Sequence, residues 1–145
     1  MKVCLVSVYR EPEAAKILYA LLEQRVQSPE MNISHAAMPS WRAHLRFIRS
    51  RPYQVWFIVK AEDLPAGTIY GTRLNEIGMH LFPDHQHQGI GREALAMFLR
   101  RARPLPAVPA MRSGKWMANV NPANIRSAKF FSEAGFRLKQ LTFQL

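Results

Sequence analysis

Two periods run through the apolar and polar positions of this chain, and the switches between them predict alternating strands and helices. Residues 2–9, KVCLVSVY, are rich in β-branched side chains and predict a strand. Residues 11–27 place Ile17, Leu18, Leu21 and Leu22 on one helical stripe, with Pro12 tolerated in the first turn. SPEMNIS (28–34) reads as a loop. Ser40 predicts a cap for a second helix over 41–51, in which Trp41, Leu45 and Ile48 form the inward stripe and Arg42, Arg46 and Arg49 the one beside it. Residues 53–61 and 67–74 predict an antiparallel hairpin across a longer loop, EDLPAG, and NEIGMHLF (75–82) continues as a strand after a short turn or bulge.

The stretch HQHQGIGREALAMFLRR (85–101) turns an extended run into a helix at a glycine pair, Gly89 and Gly91, after which Leu95, Phe98 and Leu99 share a face. The proline-rich residues 103–114 are incompatible with helix. KWMANV (115–120) predicts a short strand, and the next segment a helix from about Asn124 to a stop at Gly135. FRLKQLTFQL (136–145) predicts one or two short strands. No repeat or low-complexity tract divides the 145 residues, so a single domain is expected.

Composition narrows the partners. The single cysteine, Cys4, excludes an intrachain disulfide and reads as a small buried hydrophobe. The N-terminal apolar run is too short for a signal-peptide core and no later run approaches a membrane span, so a cytoplasmic protein without a membrane partner is expected. Net charge is +10, and 14 of the 20 cations are arginine, which pairs bidentately with phosphate and carboxylate and points to acidic partners. Nucleic acid is disfavoured, because the cations are scattered and no zinc-finger or RNP-like motif accompanies them. The stripe at Arg42, Arg46 and Arg49 is either a solvated face or an anion-facing wall of a cleft.

A strand, a glycine-flanked turn and a helix start together supply unpaired N–H groups at the positive end of a helix dipole, with room for close approach, which suits a pyrophosphate. The P-loop and G-x-G-x-x-G spacings are both absent. On the strand at 75–82, Glu76 and His80 share one face and are the candidate bases, while Ile77, Met79 and Leu81 share the other. His80, His85 and His87 lack the neighbours of a metal site, and no metal is expected.

Gln86-His87-Gln88-Gly89-Ile90-Gly91 resembles the Q/R-x-x-G-x-G/A acyl-CoA pyrophosphate loop of the GNAT superfamily of N-acetyltransferases. Downstream, Asn124-x-x-Ser127-x-x-x-Phe131-x-x-x-Gly135-Phe136 is similar to that superfamily's N-x-x-A/S-x-x-x-Y-x-x-x-G-F segment. The resemblance covers roughly residues 53–140 and implies an α/β fold of the α+β type, with a mixed, mostly antiparallel sheet splayed between its fourth and fifth strands and flanked by helices. It implies acetyl-CoA as co-substrate and direct transfer of acetyl to an amine. Backbone N–H groups from Gln88 through Arg92 would hold the pyrophosphate, with Gln86, His87, Gly89, Ile90 and Gly91 in that loop, and the strand through Leu81 and Phe82 would pair with the pantetheine amides. Asn124, with Ser127 and Phe131, would lie near the pantetheine or thiol end, although Asn124 is equally an N-cap and Arg92 equally a solvated residue.

Glu76 resembles the acidic residue many members carry at the start of this strand. The tyrosine often used to protonate the leaving thiolate is replaced by Phe131, and the sequence does not rank Tyr9, Tyr53 and Tyr70 as substitutes. The arginine stripe favours an anionic acceptor, such as a nucleotide-linked amino sugar or a protein N-terminus. A non-catalytic acyl-CoA-binding domain and a basic nucleic-acid-associated protein are the rival readings. The apolar LTFQL end is a candidate edge for pairing with another chain, and a homodimer is a family-level expectation.

Overall fold

The computed structural model describes residues 1–27 and 37–145, so the loop expected at 28–34 lies outside the described residues. Four strands, β1 (Val3–Ser7), β2 (Val55–Ala61), β3 (Leu64–Gly71) and β4 (Ile77–Leu81), form one antiparallel sheet in sequence order. Helices α1 (Ala14–Gln27) and α2 (Trp41–Arg49) precede β2, and α3 (Ile90–Arg101) and α4 (Ile125–Glu133) follow β4. Among the described residues no helix is long and apolar enough to cross a membrane.

The near-continuous apolar run of β2 follows from its central place, with both faces covered. Trp56 and Ile58 face one way, into a core with Ile17, Leu18 and Leu21 of α1 and Ile48 of α2. Phe57, Val59 and Ala61 face the other, into a larger core with Ile90, Ala94, Leu95 and Phe98 of α3. Phe98 is fully buried, so truncating it to alanine would cost about 3–5 kcal/mol.

Several sequence expectations need correction. The hairpin loop is not long: β2 and β3 are joined by Glu62 and Asp63 alone, both with positive φ (51° and 64°), as a tight turn between right-twisted strands requires. A bulge between Val59 and Lys60 absorbs the extra residue and lets Pro65 enter β3. The inward stripe of α2 is His44 and Ile48, whereas Trp41 is 42% exposed. The helix is rotated because His44 Nε2 donates to the Ala15 carbonyl, 2.8 Å away, fastening α2 to α1. KWMANV is not a strand: among the described residues its one ladder contact is a parallel bridge between Met117 and Glu76. Residues 136–145 form no strand among the described residues, and Leu141, Phe143 and Leu145 are exposed.

Asn75 explains how the proline-rich segment is held. It is fully buried with φ 62°; its Oδ1 accepts from Leu105 N (2.7 Å) and Gln54 Nε2 (3.1 Å), and its Nδ2 donates to the Leu105 carbonyl (2.9 Å). One side chain thus ties the start of β4, the start of β2 and the 103–114 connection together.

Candidate functional site

The sheet opens beside β4. Ile77 N donates to the Met117 carbonyl (2.7 Å) and Met117 N to the Asn75 carbonyl (2.8 Å), after which residues 118–123 make no further ladder contact with the strand. Backbone direction alternates along a strand, so the N–H and C=O of Met79 point to the same outer side as those of Ile77. Neither group of Met79 has a hydrogen-bond partner among the described residues. A polar edge of this kind accepts an extended, amide-bearing ligand as an added strand.

At the far end of β4 the chain makes a short helical turn at Pro83–His85 and then enters α3. Gly89 caps α3 with φ 80°, a left-handed conformation, and a Cβ there would meet nothing within 4 Å. The helix begins at Ile90, between the two glycines. With no side-chain cap among the described residues, the N–H groups of its first turn are left for an anion. Gly91 sits against Met79, Leu81 and Phe130, so the helix start is pressed onto the end of β4.

The loop's polar side chains brace this geometry. Gln86 Nε2 donates to the Leu81 carbonyl (3.1 Å) and Gln86 Oε1 accepts from Arg126 of α4 (3.2 Å). Gln88 Nε2 donates to the Asp84 carbonyl (2.6 Å). His87 is exposed with φ 61°, and Phe82 packs beneath the α1/α2 core. Arg92 projects into solvent, 3.9 Å from Glu133. Asn124 takes the N-cap role, its Oδ1 accepting from Ser127 N at 3.1 Å, which leaves the amide donors uncommitted. Phe131 is half-buried between Phe130 and Phe136, with centroids 5.2 and 5.3 Å away.

Glu76 and His80 share the β4 face turned to α1 and α2, as the alternation predicts. Glu76 stands where the opening closes: its carboxylate accepts from Asn119 Nδ2, and its N–H donates to Thr72 Oγ1 (3.1 Å). His80 is 8% exposed and its Nε2 has no partner among the described residues. Burial, assisted by the positive charge of Arg25, pushes its pKa down to about 4, so the imidazole is neutral at pH 7.

Arg42, Arg46 and Arg49 line an open depression of ≈ 460 Å³ on the outer face of α2, together with Trp41 and Leu45. Among the described residues, Arg92 is the one arginine of 14 within 4.0 Å of a carboxylate, so the guanidinium groups of the α2 stripe are not neutralised by described acids. Sequence reasoning missed Asn119 and Arg126, which fix Glu76 and Gln86. Only the register of the bridge at Met117 brings Asn119 to the sheet.

The chain matches the family model for an acetyltransferase (GNAT) domain over residues 3–137. The open four-stranded sheet, glycine-led helix and matching motifs therefore belong to a member of the GNAT acetyltransferase family. That family's general chemistry is acetyl transfer from acetyl-CoA. No curated protein matches the sequence. Solved structures share the fold: an acetyltransferase from Thermus thermophilus (19% identity, TM-score 0.68, covering 94% of this chain and 88% of that one); a ribosomal-protein-alanine N-acetyltransferase from Brucella melitensis biovar Abortus 2308 (11%, 0.68, 99% and 96%); and a Salmonella typhimurium protein solved with its cofactor acetyl-CoA (16%, 0.68, 94% and 79%).

Proposed function

We propose that the protein is an acetyl-CoA-dependent N-acetyltransferase that transfers acetyl directly to an amine on an anionic acceptor, of which a nucleotide-linked amino sugar and a protein N-terminus are the two leading types. The observation that carries this reading is the unpaired β4 edge at Met79, which leads from the free N–H groups of α3 to the carboxylate of Glu76. In this reading the N–H groups from Gln88 through Arg92 hold the pyrophosphate, Met79, Leu81 and Phe82 border the pantetheine arm, and Asn124, Ser127 and Phe131 border its other side.

An amine attacks only when neutral, so a base must remove its proton. Glu76 is the better candidate on geometry: its carboxylate meets Asn119 where the opening closes, whereas His80 is buried against the α1/α2 side. The arginines at 42, 46 and 49, which meet no carboxylate among the described residues, supply positive potential for an anionic acceptor.

Calorimetric titration with acetyl-CoA, desulfo-CoA and dephospho-CoA at two salt concentrations tests the reading, followed by an acceptor screen begun with anionic amino sugars and peptide N-termini. Micromolar acetyl-CoA binding with turnover is expected. Binding without turnover across the amine panel would favour a non-catalytic acyl-CoA-binding domain, and no binding would overturn the proposal.

A further inference from the structure

When a thioester is cleaved, its sulfur leaves as a thiolate and is helped by a donor placed beside it. Phe131 carries no hydroxyl, and the structure ranks the tyrosines that the sequence leaves equal. Tyr9 donates to the Ile48 carbonyl (2.9 Å) beneath the Arg51 guanidinium, and Tyr19 donates to the Pro39 carbonyl (2.8 Å). Tyr53 lies stacked on Tyr70, with centroids 4.1 Å apart and 11° between the planes, and burial pushes its phenol pKa up.

Tyr70 differs in where its ring goes. It pairs with Gly78 across β3 and β4, and a Cβ at Gly78 would stand 2.1 Å from Tyr70 Cζ and 2.3 Å from its hydroxyl. The phenol thus fills the space a side chain at 78 would take, which carries its hydroxyl from β3 onto the strand that borders the opening. On that face its neighbours along β4 are Glu76 and His80, each roughly 7 Å away along the strand. The opening closes at the Ile77–Met117 hydrogen bond. An arm laid along β4 from α3 therefore has its last stretch beside Gly78, under this hydroxyl.

Resting on the acetyl-CoA reading above, we propose that Tyr70 is a catalytic residue whose phenol hydrogen-bonds the sulfur of CoA. As the acceptor nitrogen bonds to the acetyl carbon and the C–S bond breaks, the thiolate takes the phenolic proton. Glu76 takes the proton shed by nitrogen, and that proton returns through water to the phenolate. Gly78 belongs to the same device, since any side chain there displaces the ring.

Titration of the thiol of bound CoA, followed by thiolate absorbance, tests this without knowledge of the acceptor. Tyr70→Phe keeps the ring stacked on Tyr53 and removes only the donor. The bound thiol is expected to ionise about one to two pH units higher in the variant than in the wild type, because a donor to sulfur favours the thiolate. An unchanged midpoint overturns the role of Tyr70 alone, whereas failure of the wild type to bind CoA overturns the acetyl-CoA reading and this inference with it. Should Tyr70→Phe fail to fold, NMR of the wild type with isotope-labelled tyrosine decides. CoA is expected to shift one hydroxyl-bearing ring carbon that desulfo-CoA leaves in place, and equal responses to the two ligands overturn the proposal.

Discussion

Acid should weaken this fold through His80 by an amount that can be worked out in advance. In the unfolded chain a histidine titrates near 6.5, whereas in the fold burial holds His80 down to about 4. Between those values only the unfolded state takes up the proton, so stability is fully present above the unfolded value and falls as the pH drops toward the folded one. The whole gap is worth about 3 kcal/mol, and the part lost between pH 7.5 and 5.0 is about 2 kcal/mol. His44, whose pKa burial also lowers, and Glu11, whose hydrogen bond to Lys60 lowers its pKa, change stability in the same direction. The His80 share is therefore isolated by comparison with His80→Gln, which keeps a polar nitrogen and cannot charge. Urea unfolding of both proteins at the two pH values is the assay, and the wild type should lose about 2 kcal/mol more than the variant. Parallel losses would refute the assignment of a buried, neutral imidazole.

Three further outcomes follow from the site and its supports. Glu76→Gln, which still accepts a hydrogen bond from Asn119, should lower turnover about 10²- to 10⁴-fold in steady-state kinetics while leaving the KM for acetyl-CoA nearly unchanged. Gly89→Trp puts bulk where a Cβ meets open space at the mouth of the anion site; calorimetry should show at least a tenfold loss of acetyl-CoA affinity, with circular dichroism showing a retained fold. Asn75→Ala leaves the Leu105 N–H and carbonyl without their partner, and thermal unfolding should report a loss of about 2–4 kcal/mol.

The parts of the molecule that announce themselves in sequence are those whose residue type is dictated by local physics. The glycine at the start of α3, the proline-rich connection and the two-faced alternation of β4 are of this kind, and each stands where the pattern places it. What sequence does not carry is partnership. KWMANV has the composition of a strand, yet pairing needs a neighbour in register, and the neighbour supplies one residue at Glu76. The Glu62–Asp63 turn lacks the Asn-Gly signature of tight hairpins, so nothing local marks it as two residues long. Trp41 stands outside its expected place and His44 takes the inward one, because a carbonyl on another helix decides the rotation of α2. Asn75, Asn119 and Tyr70 are equally silent in sequence, since their meaning lies in contacts with other segments: Asn75 reaches Leu105, 30 residues on, and Asn119 reaches Glu76 at a separation of 43.

The single bridge between Glu76 and Met117 works as a hinge pin. Above it, Asn75 clamps the connection; below it, no backbone ladder sets how far residues 118–123 stand from β4. The spacing of the two walls is then fixed from outside, by the seating of α4 against α3 through Phe130 and Gly91 and by the Arg126–Gln86 contact. A ligand laid between the walls would act as a rivet, joining the last third of the chain to the sheet beyond the bridge at Met117 and the Asn119–Glu76 contact. Amide hydrogen exchange in residues 118–135 should therefore slow more on ligand binding than exchange in β1–β3, whose ladders are already complete.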